Sequence, residues 1–149
     1  AIKAFNKLIA RNKAIKTELY RIKRQLRLMK LSPIERVKAI HDYICENVEY
    51  AYEDKARTTL FDAIFNQRVV CCGYSIFFKA LCGISKIECE CVVNENHEWN
   101  KVTIEGKTYF IDATWDDCLG NEKYYMLPTE KFYAIHPRHT GFDRNIWVK

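Results

Sequence analysis

Apolar residues change their spacing once along this 149-residue chain, and the change falls at Ile87. Before it they recur every three or four residues, which gathers them on one face of a helix. From Ile87 they alternate, as in a strand with one covered face. Ile87, Cys89, Cys91 and Val93 alternate there with Glu88 and Glu90. Two further runs, 97–104 and 107–113, flank Glu105-Gly106, a dipeptide suited to a two-residue hairpin turn. Helices followed by an antiparallel sheet give an α+β layout, and the length suits one core.

Residues 1–31 read as a single basic amphipathic helix. Ala1, Phe5, Leu8, Ile15, Leu19, Ile22, Leu26 and Met29 step by fours and threes, with Asn12 interrupting the seam. This segment holds ten Lys/Arg against one acid, Glu18, a net charge of +9, while the other 118 residues carry −4. The basic balance therefore belongs to the helix. Its stripe is expected to pack on the body of the chain, on a partner helix or neighbouring domain, or on an anionic surface. Only Phe5 and Tyr20 are aromatic in it, so no base-stacking reader is expected, and no specific nucleic-acid binding. No apolar run approaches the ~18 residues of a membrane span, and no signal segment opens the chain. Its start at Ala1 fits a processed or excised piece.

Residues 32–149 form the expected globular domain. Ser32-Pro33-Ile34-Glu35 carries a helix start: a capping Ser, Pro at the first helical position, and Glu to complete a capping box. The helix it opens should bury Val37, Ile40, Ile44 and Val48. Thr59-Leu60-Phe61-Asp62 starts a shorter helix by the same logic. The seven cysteines are an odd number and contain no C-x-x-C pair. That pattern favours free thiols in reducing surroundings over a metal cage. The rival zinc set would be Cys89, Cys91, Cys118 and His97; no metal or other cofactor is expected.

Chemistry concentrates at three places. Residues 74–81 read as a buried helix, and Cys71-Cys72 fall at its N-terminal end, where unpaired N–H groups favour a thiolate and can receive an oxyanion. A two-residue turn at 105–106 makes paired positions sum to 211. Residue 112 then faces 99, and His97 and Asp112 share a face one pleat apart. A carboxylate near the end of the apolar strand Tyr109-Phe110-Ile111 needs a partner, and an imidazole N–H supplies one. Nucleophile, base and orienter are the roles these three side chains fit.

Val70-Cys71-Cys72-Gly73-Tyr74-Ser75, His97-Glu98-Trp99-Asn100 and Asp112-Ala113-Thr114-Trp115-Asp116-Asp117 resemble, in that order, the three motif blocks of the transglutaminase-like superfamily. The resemblance covers about residues 33–147 and implies a papain-related core, with the nucleophile at a helix start packed on an antiparallel sheet. It implies Cys71 as nucleophile, His97 as base and Asp112 as orienter, with Trp99 and Trp115 walling the substrate cleft. It implies acyl transfer from peptide or carboxamide bonds through a thioester on a protein or peptide substrate, foremost as a cysteine peptidase. A cross-linking transglutaminase and a non-catalytic protein-interaction module of the same fold are the alternatives. Val69, Cys72, Glu98 and Ala113 depart from the residues usual at their positions; Val69 should tighten the turn before the nucleophile.

Overall fold

The structure, a computed structural model, describes residues 1–136. Residues 137–149, the end of the expected globular domain and of the resemblance, lie outside the described residues. The first helix, α1, spans Ile2–Gln25 and stops short of the expected residue 31. Arg27 takes a left-handed conformation (φ 52°) and a single tight turn, Leu28–Lys30, follows. The break shifts the phase of the seam: Leu28 is buried, and Met29, expected on the apolar stripe, is exposed. The Arg36 Nε–H ties this turn to the helix that follows, donating to Leu28 O and Leu31 O at 3.0 Å each. Along α1 the stripe is unevenly used. Leu19 and Ile22 enter the core, whereas Phe5 and Leu8 are 61% and 54% exposed.

Helix α2, Pro33–Asn47, begins with the expected capping box: Ser32 Oγ accepts the Glu35 N–H, and Glu35 Oε2 accepts the Ser32 N–H at 2.8 Å. Val37, Ile40, Ile44 and Val48 are buried as its period requires. A short parallel pair follows, β1 (Glu49–Tyr50) with β2 (Arg68–Val69). Between them Thr59 caps Asp62, but the helix it starts is a wide π turn over Asp62–Asn66. Helix α3, Cys71–Ile84, is longer than the run 74–81 and takes the cysteines into its first turn.

The sheet has the order β3-β4-β5-β6: β3 Glu88–Val93, β4 Glu98–Ile104, β5 Lys107–Ile111 and β6 Leu127–Pro128, each antiparallel to its neighbour. The β4–β5 register pairs Ile104 with Lys107 and Asn100 with Ile111, so the sum of 211 holds. Glu105 and Gly106 both have positive φ, 51° and 78°, as a turn that follows the strand twist requires. Val93, expected on the covered face, is exposed, because it ends an edge strand. The run 107–113 divides: β5 stops at Ile111, and helix α4, Ala113–Leu119, begins two residues later. The last described helix, α5, is Thr129–Ile135.

One core unites α1, α2, α3 and the inner face of the sheet, through Ile22, Ile40, Ile44, Phe77, Phe78, Leu81, Val102 and Ile111. A second, aromatic cluster joins Trp99, Phe110, Tyr124 and Phe132 beneath α5. Asp112 sits between the two, where the hairpin hands over to α4.

Candidate active site

The turn into Cys71 is built by close approach. Val70 is extended, Cys71 is the first residue of α3, and the Gly73 N–H makes the first helical bond, to Val70 O at 2.9 Å. A Cβ at Gly73 would stand 2.3 Å from the Val69 Cβ, closer than any packing allows. Val69 thus tightens the turn as expected, by occupying the space a side chain at 73 would need.

Cys71 keeps partial exposure, and the backbone N–H of Glu98, the residue after His97, acts on its thiol. Burial, reinforced by Cys72 and by the charge of Asp112, pushes the thiol up to about 12, against the pull of that N–H. The helix start alone predicts the opposite direction; at this site desolvation outweighs it. Cys72 is less buried, and its thiol is raised by burial and by Glu98.

His97 is held from behind by its own approach loop. Asn94 Oδ1 accepts the N–H groups of His97 and Asn96 at 2.8 and 2.9 Å, and the Asn94 N–H returns to His97 O at 3.0 Å. Its Nε2 meets Asp112 Oδ2 at 2.6 Å. A carboxylate only accepts, so Nε2 carries the proton and donates, leaving Nδ1 as the basic nitrogen. The hairpin register brings His97 and Asp112 together as the sequence predicts.

Asp112 is fully buried and has more bonds than the sequence reading gave it. Its Oδ1 caps α4 by accepting the Trp115 N–H at 3.0 Å, and its own N–H bonds Tyr124 O at 2.9 Å. Its Oδ2 is shared: His136 Nε2 meets it at 2.7 Å, beside His97. Burial opposes the charge, but His97 and His136 outweigh it and hold the carboxyl well below the usual range. No pattern within residues 97–112 announces His136. It arrives from the residue after α5, across 24 residues.

The tryptophans divide. The His97 ring lies between Trp115 (5.3 Å) and Trp99 (5.8 Å), both near-parallel to it. Trp115 keeps partial exposure, but Trp99 is 1% exposed, inside the aromatic cluster behind the imidazole. Trp99 therefore does not line an open cleft: it shares the His97 face of β4, and α5 covers that face. On the other flank a cleft of about 510 Å³ is lined by Glu46, Glu49, Tyr50, Tyr52, Asp117 and Cys118. Cys71 does not line it, but its charge is felt by Tyr50, which does.

A second imidazole–carboxylate pair braces α4. His41 Nε2 meets Asp116 Oδ2 at 2.9 Å, and Asp116 Oδ1 accepts the Tyr124 N–H at 2.8 Å. Burial disfavours the imidazolium, but its bonds to Asp116, Cys45 and Asp42 prevail and raise His41 to about 10. Two clusters among the described residues hold three potential ligands each, His97 with Asp112 and His136, and His41 with Asp42 and Glu122. In each the ligand atoms already bond one another or Lys38. The zinc set Cys89, Cys91, Cys118 and His97 is in neither. Cys89 and Cys91 lie against the Asn100 amide, and Cys118 lies beside Tyr52 on the far end of α4.

The model of the transglutaminase-like superfamily matches residues 20–122, which contain Cys71, His97 and Asp112. The chain belongs to that superfamily. It is 28% identical to the kyphoscoliosis peptidase of Mus musculus across 71% of this chain, and spans about a fifth (20%) of that relative. Its fold is similar to the crystal structure of a TGase, with TM-score 0.58 and 23% identity over 73% of this chain and 32% of that one. It is also similar to menin, a protein whose structure reveals a binding site for the Mixed Lineage Leukemia protein, with TM-score 0.55 and 16% identity over 69% and 25% of the two chains. Of the superfamily departures, Ala113 occupies the first position of α4, where proline is also at home. Glu98 is held by the Ser75 hydroxyl, which keeps its carboxylate facing α3 near Cys72 and Cys91.

Proposed function

We propose that this domain is a thiol-dependent acyl-transfer enzyme, foremost a cysteine peptidase, working through a thioester on Cys71. The observation that carries the reading is the buried His97–Asp112 pair at 2.6 Å, together with a thiol at a helix start that feels the Asp112 charge. The Cys71 proton passes to His97 Nδ1 as sulfur attacks the carbonyl carbon of a peptide or carboxamide. The oxyanion falls toward the N–H groups that open α3 and toward the Glu98 N–H. His97 then returns the proton to the departing amine, the C–N bond breaks, and a thioester remains. Water, losing its proton to His97, attacks the thioester, and the acid leaves as sulfur recovers its proton. A lysine amine in place of water gives an isopeptide cross-link by the same steps. Asp112 keeps the imidazole in the required tautomer and stabilises its charged form.

A second reading, a non-catalytic interaction module, draws on the raised thiol: an idle site has no need to lower it. Incubation with a peptide-type thiol-directed probe, followed by mass mapping, separates the two. Labelling confined to Cys71 and lost in His97→Ala supports the enzyme. A Cys71 that labels no faster than Cys72 rejects it. Turnover of a peptide with and without added amine then assigns hydrolysis or transamidation.

A further inference from the structure

Asp112 Oδ2 accepts two imidazoles, His97 Nε2 at 2.6 Å and His136 Nε2 at 2.7 Å, and Asp112 Oδ1 accepts the Trp115 N–H. His136 has no exposed side-chain surface, and it is wedged between Phe132, stacked at 4.2 Å, and Trp99 and Trp115 at 4.5 and 4.7 Å. The ring is therefore fixed by packing on three sides, and its N–H is aimed at the orienter and not at the thiol. Resting on the catalytic reading above, we propose that His136 is a positioning residue that sets the proton affinity of His97 by sharing the carboxylate of Asp112.

The physical argument is one of divided charge. A carboxylate oxygen that already accepts one N–H attracts a second proton donor less strongly than a free one. With His136 in place, the His97 imidazolium receives part of the stabilisation Asp112 could give. His97 is then a weaker base and a stronger acid. Weaker basicity costs little in taking the thiol proton while the attack proceeds, and stronger acidity favours protonating a poor leaving amine. Other titratable groups whose charge is felt at Asp112, or whose own titration feels it, are Cys71 on α3, Asp116 and Cys118 on α4, and Tyr124. Of these and the two imidazoles, only His97 and His136 hydrogen-bond its carboxylate.

The test compares His136→Phe, which keeps the stacked ring and loses the N–H, with His136→Gln, which restores an N–H donor. The readout is the pH profile of Cys71 alkylation by iodoacetamide, followed by mass mapping, together with kcat on a peptide substrate. The limb that is read is the acid limb that disappears in His97→Ala. In His136→Phe that limb should move up by about one pH unit, with kcat down about tenfold. In His136→Gln it should stay at the wild-type position. A Phe variant that slows at every pH with an unmoved limb reduces His136 to packing and overturns the inference alone. A wild-type profile with no His97-dependent limb removes the catalytic reading and this inference with it. Should the Phe variant fail to fold, nitrogen-15 spectra of the wild type decide: the inference requires a protonated Nε2 on both His97 and His136, and a bare Nε2 on His136 overturns it.

Discussion

At the scale of single residues the two neighbouring thiols are set apart by what reaches them. The Cys71 thiol feels the Glu98 N–H, next to His97, whereas the Cys72 thiol feels the Glu98 carboxylate. Replacing Cys71 by Ala should abolish thioester formation, while Cys72→Ser should keep most turnover; rapid-quench trapping of the acyl-enzyme reads both. Since burial drives the Cys71 thiol up, its thiolate depends on proton transfer to His97. His97→Ala should therefore slow Cys71 alkylation at pH 7 by at least about tenfold and leave Cys72 unchanged. Asp112→Asn presents an amide where a carboxylate accepted three N–H groups, two of them from imidazoles. Activity should fall by about 10⁴, as expected when the imidazole tautomer is no longer fixed. Asn caps a helix as well as Asp does, so the Trp115 N–H keeps an acceptor and the loss falls on the imidazoles.

At the scale of elements, the uneven use of α1 makes a graded prediction. Residues 1–10 are exposed throughout, so deleting them should change stability by less than about 0.5 kcal/mol. Deleting through Arg27 also removes Leu19 and Ile22 from the core, and each large-to-nothing loss is of the order of 2–5 kcal/mol. Urea unfolding of the two truncations should differ by several kcal/mol, and the longer one should bind a hydrophobic dye. Equal midpoints would contradict the packing of α1 on α3. The turn into Cys71 makes a second prediction. Gly73→Ala should cost about 1–3 kcal/mol through collision with Val69, and a Val69→Gly background should reduce that cost in a double-mutant cycle.

At the scale of the whole molecule, two buried ion pairs pull the pH dependence in opposite directions. The Asp112 carboxyl is depressed on folding, so its contribution is present above about pH 4, the unfolded range, and is lost as pH falls through the folded value. His41 is raised to about 10, so its contribution is whole below about pH 6.5 and is lost as pH rises through 10. Urea midpoints from pH 3 to 10.5 should trace a dome, and His41→Gln should flatten its alkaline side relative to wild type. Much of this molecule was legible in its sequence because it rests on local rules: the capping box at Ser32, the hairpin at Glu105-Gly106, and a register that aligns His97 with Asp112. What escaped depends on tertiary contact. Nothing near Arg27 signals a break until Arg36 is seen bonding Leu28 O and Leu31 O. The helix after Asp112 looks like a continued apolar strand until Tyr124 takes the Asp112 N–H. His136 and the Asp116 partner of His41 come from 24 and 75 residues away, where no periodicity reaches. The thiol direction was missed for a related reason: a helix N-terminus is visible in sequence, but burial is not.

Asp112 ends the hairpin, opens α4 and faces two imidazoles, so chemistry and architecture share one side chain. A worker wanting an inert but intact copy, to capture whatever this domain grips in a cell extract, should not choose position 112. Silence there comes with a softened scaffold, and a failure to capture would have two explanations. Cys71→Ala deletes one sulfur from a prefolded helix start and leaves every carboxylate bond in place. That position separates holding a substrate from consuming it.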